Sequence, residues 1–129
     1  MAPQHAESDE TLAKRFEEAA IGYARNRNLC AVVLLEFGNA KRLVRIKEGK
    51  VMSIESKIPL HYPWNFAIRG STAAWEALWE SMPKAGWHDI FALSKRGELC
   101  MEGNLQPMMA HLQYVKDLLA TPRKNEVRL

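Results

Sequence analysis

Three apolar runs follow one another almost without a break between residues 29 and 57: "LCAVVLLEF", "AKRLVRIKEG" and "KVMSIESK". The first is β-branched and continuously apolar. The second alternates, with Leu43 against Arg42 and Ile46 against Arg45. The third sets Val51, Ser53 and Glu55 opposite Met52, Ile54 and Ser56. A period of two over segments this short specifies strands, since successive side chains leave a strand on opposite faces. The links "GNA" and "EGK" are too short for anything except hairpin turns. The three strands are therefore predicted to form an antiparallel meander, and a meander has an apolar face that something else must cover.

A fourth strand is expected in "YPWNFAIRG", with Trp64, Phe66 and Ile68 on one face and Pro63 suited to an edge or to the strand's start. Helical spacing dominates the rest. Leu12, Phe16, Ala19, Ala20 and Tyr23 predict a helix over 10–26, capped by Ser8 or Asp9 and broken by "NRN". In "GSTAAWEALWESMP" the N-cap is Ser71 or Thr72. Trp75, Leu78, Trp79 and Met82 make the stripe, and Pro83 ends it. "GWHDIFALSKRG" predicts a short helix begun near His88–Asp89 and closed by Gly97, and "ELCMEG" a fifth strand. In "LQPMMAHLQYVKDLLA" a last helix places Pro107 in its first turn. Its stripe is Leu105, Met108, Met109, Leu112, Val115 and Leu119. Strands grouped before helices predict an α+β fold: a five-stranded, mostly antiparallel sheet covered on one face by helices. Residues 1–8 and 122–129 are expected to be polar tails around a single domain over 9–121.

Several chemistries are not written in the sequence. The net charge of +3 is spread over separate segments, so a mixed solvated surface is expected and no nucleic-acid partner. No apolar stretch approaches the roughly 18–20 residues that span a bilayer. Cys30 and Cys100 lie in apolar strand runs as small buried thiols, which fits a reducing cytoplasm. Of the four histidines, His5 falls in the tail and His61 in the "PLHYP" loop. His88 precedes Asp89 at a helix start, and His111 lies on the flank of the last helix. Metal-ligand spacing, a Gly-rich phosphate loop and a Gly-x-Ser-x-Gly elbow are missing, so no metal or cofactor is expected. Glu36, Glu55 and Glu102 lie on separate strands with nothing in sequence to join them.

Instead the second half is apolar and aromatic. Trp64, Trp75, Trp79, Trp87 and Phe91 gather there with paired methionines, the side chain that adapts best to varied apolar shapes. The order Ile68-Arg69-Gly70, Ser71, Trp75 to Leu78, Ile90-Phe91-Ala92, Gly97-Glu98-Leu99, Met101-Glu102-Gly103-Asn104 and Met108 to Leu112 resembles the sterol carrier protein type 2 family over about residues 10–120. That resemblance implies non-covalent binding of a sterol, fatty acid or acyl-CoA-like molecule in a tunnel between sheet and helices. The implied lining is Trp75, Leu78, Trp79, Phe91, Met101, Met108, Met109 and Leu112. Separately, for a ligand that carries a carboxylate, Arg69 or His111 at a polar rim is expected to orient it. "SMPKAGWHD" is longer than the common pattern. Two other readings compete. One is a small enzyme on an apolar, steroid-like substrate, for which Tyr23, Tyr62 and Asp89 are the groups to test. The other is a module that receives a partner helix or a second copy of the chain, as a homodimer would, in the same groove.

Overall fold

The computed structural model describes the backbone of residues 2–59, 61–80 and 89–123, with side chains from residue 9 onward. Helix α1 (Ala2–Ala20) is followed by strands β1 (Ala31–Phe37), β2 (Ala40–Lys47), β3 (Lys50–Glu55) and β4 (Phe66–Gly70). Helices α2 (Thr72–Leu78) and α3 (Ile90–Lys95), strand β5 (Leu99–Gly103) and helices α4 (Gln106–Ala110) and α5 (Leu112–Leu119) complete the chain. The sheet order is β3-β2-β1-β4-β5. The meander is present, with Leu34 opposite Leu43 and Val44 opposite Ile54. Glu48 and Gly49, at φ 48° and 79°, make the left-handed pair of residues that a tight hairpin needs. β4 adds to the free edge of β1 in parallel, Leu35 beside Ile68, and β5 returns antiparallel to β4. The fold is the expected α+β sheet with one parallel seam.

Helix α1 differs from expectation at both ends. It runs back through the segment expected to be a tail, and it stops at Ala20 because Gly22 turns left-handed (φ 79°). Tyr23 therefore lies beyond the helix, and its carbonyl accepts from the Val51 amide at 2.8 Å. Asp9 is not a cap. It is buried within α1 and accepts hydrogen bonds from the Asn39 amide at 2.9 Å and from the Thr72 hydroxyl. One carboxylate thus ties α1 to the β1–β2 turn and to the start of α2. Gly38 makes this approach feasible, since a Cβ there would lie 2.5 Å from the Asp9 carboxylate. Arg42 is buried under α1, where Glu10 (2.5 Å) and Glu17 pair with it.

The helices cover one face, as expected, and the main core lies between them and the sheet. The opposite face carries a smaller cluster of Leu34, Leu43 and Ala67. Ile58, Tyr62 and Trp64, from the connection between β3 and β4, cover it. Trp64 was expected on the face of Phe66 and Ile68. It lies before β4 begins, and it packs on the far side. Asn65 fixes this connection, exchanging bonds with Val32: its side-chain oxygen accepts from the Val32 amide at 2.7 Å, and its own amide donates back at 2.8 Å. Ser71 caps α2 as expected, accepting from the Ala74 amide. Met82, Pro83, Gly86, Trp87 and His88 lie outside the described residues, as does most of the expected C-terminal tail. Both cysteines are exposed rather than buried. Cys30 precedes β1 beside the Glu48 turn, and Cys100 sits on the edge strand β5.

Candidate functional site

The layer between sheet and helices is built on an aromatic cluster. Phe37 of β1 lies 4.6 Å from Trp75 and 5.8 Å from Trp79, whose rings are 5.7 Å apart, and Phe16 of α1 joins it at 5.5 Å. Tryptophan can be sealed this completely only when its N–H finds an acceptor. Trp75 donates to the Glu36 carbonyl at 2.8 Å and Trp79 to the Leu119 carbonyl at 2.7 Å. Gly70 leaves room for the first of these, because a Cβ there would stand 2.7 Å from the Trp75 indole nitrogen. Leu78 and Met108 are buried in the same layer, while Phe91, Met101 and Leu112 are half-buried along its margin. Met109 turns outward and is 54% exposed.

The paired methionines therefore divide. The predicted single helix over 105–120 is interrupted at His111 (φ −125°, ψ 45°), so α4 and α5 are separate turns about a bend. No Gly or Pro marks that bend. It brings Tyr114 and Leu118 into the core beside Val115 and Leu119.

A cleft of about 380 Å³ opens beside this layer, among α2, α3 and α5. Leu78 and Ile90 supply its apolar lining. Asp89, Lys116, Asp117 and Arg123 are at its polar part. Lys116 pairs with Asp89 at 3.4 Å and lies 5.5 Å over the Phe91 ring. Arg123 is fixed by donating to the Leu78 carbonyl at 3.0 Å. The sequence patterns missed Lys116 and Arg123, which carry no periodic signal and meet only through the packing of α5 on α2 and α3.

The expected polar rim lies elsewhere. Arg69 follows Ile68 on β4 and so faces the side away from the helices. There it bridges Glu36 of β1 and Glu102 of β5, the latter at 3.1 Å. The hydrogen bond Arg69 donates to Glu102, strengthened by the charge of Glu36, raises the guanidinium pKa further. Two carboxylates that the sequence left apart thus meet on one arginine across three strands. His111 occupies the bend between α4 and α5. Tyr62 is on the far face, stacked under Arg45 at 4.9 Å and accepting its hydrogen bond. It is on the opposite side of the sheet from Tyr23 and Asp89, so these three do not assemble into one acid–base site. Among the described residues no group of three or more His, Cys, Asp or Glu side chains could hold a metal ion. Nor is any described helix long and apolar enough to cross a membrane.

At the margin of the core, the partly buried Tyr23 meets the buried Tyr114 edge to face with ring centroids 5.3 Å apart. Neither hydroxyl has a hydrogen-bond partner among the described residues. Burial pushes the Tyr114 phenol up to about 12, and burial raises that of Tyr23 as well.

No family profile matches the chain, and no curated protein matches it in sequence. Solved structures do match in shape. The sterol carrier protein 2-like 2 of Aedes aegypti superposes with a TM-score of 0.56 at 16% identity, over 85% of this chain and 97% of its own. The chain has the sterol carrier protein 2 fold. The UbiJ-SCP2 ubiquinone synthesis protein shares it, with a TM-score of 0.50 at 17% identity over 94% of this chain and 96% of that one. In this SCP2-like fold, the meander, the parallel seam and the helices carrying Trp75, Phe91 and Met108 together frame the apolar layer. At these identities the likeness is one of architecture.

Proposed function

We propose that this protein binds and carries a hydrophobic small molecule, of the sterol, fatty-acid or acyl-CoA class, without transforming it. The ligand occupies a tunnel opened within the layer between sheet and helices. One observation carries the reading. The apolar face of the sheet is closed by α1 and by four short helices of 7, 6, 5 and 8 residues, with soft half-buried side chains at their margin, beside a cleft of about 380 Å³. Helices this short hold few internal hydrogen bonds and depend on tertiary packing, so they can part at modest cost. Leu78 and Ile90 form the way in, and Phe91, Met101, Met108 and Leu112 are the side chains that repack. Burying about 400 Å² of apolar ligand gives roughly 10 kcal/mol gross at ~25 cal/mol per Å². Association removes at least about 4 kcal/mol of that, leaving binding in the micromolar range. The printed name of the UbiJ-SCP2 ubiquinone synthesis protein, which shares the fold, supports testing a quinone-type lipid as well.

Native mass spectrometry of the protein purified from its own cells, with extraction of whatever accompanies it, tests this reading. A stoichiometric hydrophobic passenger is expected. An empty protein whose tryptophan fluorescence ignores added sterol, fatty acid and acyl-CoA would overturn it.

A further inference from the structure

An unpartnered hydroxyl inside a protein destabilises it, and phenylalanine would fill the same space without that penalty. Here two such hydroxyls occur on rings in mutual contact, one on α5 and one just past α1, both shielded from solvent. The Tyr114 ring lies in the main core, within the layer that the preceding proposal assigns to the ligand, and the partly buried Tyr23 ring packs against it. Neither phenol serves the fold through its oxygen. Tyr23 is fixed by its backbone, which bridges Ala20 and Val51, and Tyr114 by its ring.

We propose that the Tyr23 and Tyr114 hydroxyls are a donor pair for the uncharged polar head of the hydrophobic ligand: a ketone, ester or quinone oxygen. This rests on the carrier reading above and narrows its ligand class. A neutral acceptor is favoured over a carboxylate because no buried cation among the described residues faces the two hydroxyls to pair a buried anion; Arg15 lies over Trp79 and Arg123 is held by the Leu78 carbonyl. Arg25 lies over the ring of Tyr23 at 4.5 Å but is exposed, and Arg42 is already committed to Glu10 and Glu17. The raised phenol pKa values keep both groups protonated, hence donors, throughout the neutral range.

The test is tryptophan-fluorescence titration at pH 7 with three probes of equal chain length: 2-dodecanone, lauric acid and dodecane. The proteins are the wild type, Tyr114→Phe, Tyr23→Phe and the double variant. The wild type is expected to bind the ketone most tightly. Each hydroxyl removed should weaken ketone binding about 3- to 10-fold, the range of one hydrogen bond, and leave dodecane binding unchanged. Urea midpoints of the variants should equal or exceed that of the wild type. Three results overturn the donor pair: ketone binding indifferent to both substitutions, a preference for lauric acid that survives them, or a fall in urea stability showing the hydroxyls already satisfied. In each of these cases dodecane still binds and the carrier reading stands. Failure of all three probes to bind the wild type would remove the carrier reading itself, and the donor pair with it.

Discussion

Gly70→Ala asks whether the Trp75 anchor holds α2 against the sheet. The backbone at Gly70 lies in no left-handed region, so the substitution carries no conformational strain and isolates packing. Its methyl would stand 2.7 Å from the Trp75 indole nitrogen, 3.1 Å from Cε2 and 3.3 Å from Cδ1. That ring cannot swing aside, being wedged between Phe37 and Trp79. Either the indole shifts and loses its 2.8 Å bond to the Glu36 carbonyl, or β4 draws back from α2. Overpacking of a filled core costs about 1–3 kcal/mol and an unpaired buried donor a similar amount, so about 2–6 kcal/mol is expected in all. For a chain of this size that lowers Tm by about 8–24 °C. Thermal unfolding followed by near-ultraviolet circular dichroism reads the loss and the tryptophan environment together. Trp75→Phe removes the offending nitrogen, so in that background Gly70→Ala should cost under about 1 kcal/mol. A normal Tm for Gly70→Ala, or an undiminished loss in the Trp75→Phe background, would refute the reasoning.

The methionines should separate sharply. Met108→Ala is expected to cost about 2–5 kcal/mol in urea unfolding, while Met109→Gln stays within about 0.5 kcal/mol, because only the first is buried. Equal effects would place both on the same side of α4. Tyr114 sets an alkaline limit. Its folded pKa of about 12 lies above the unfolded value near 10, so its contribution to stability is complete below pH 10 and is lost as pH rises toward 12. Urea midpoints at pH 9, 10 and 11 should fall more steeply for the wild type than for Tyr114→Phe, and parallel slopes would contradict a raised phenol.

The strands were legible because period-two alternation and two short links leave few alternatives. The stripe of α2 was equally plain, and Trp75, Leu78 and Trp79 lie where it put them. What escaped was set by tertiary contact. Arg42 reads as an outward residue beside Leu43, and only the carboxylates of α1 make it a buried one. The end of α1 is signalled by Gly22, not by "NRN". The bend at His111 carried none, and it separates Met109 from Met108 and brings Tyr114 inward. The expectation of Arg69 at the ligand's rim rests on no strand pattern. Strand alternation from Ile68 puts it on the side away from the helices, where Glu36 and Glu102 hold it.

The parallel seam between β1 and β4 has a kinetic consequence. β1 to β3 are joined by two-residue turns and can zip as a local unit, whereas residues 31–37 meet 66–70 only after a far longer loop has closed. Trp75 reaches Glu36 across that seam, since α2 is carried in by β4. Its mature fluorescence thus reports the later event. During refolding, amide protection in β1 to β3 should lead and the tryptophan signal should follow. The half of the molecule that closes the apolar layer is then also the last to arrive and, by the same contacts, the first that can leave.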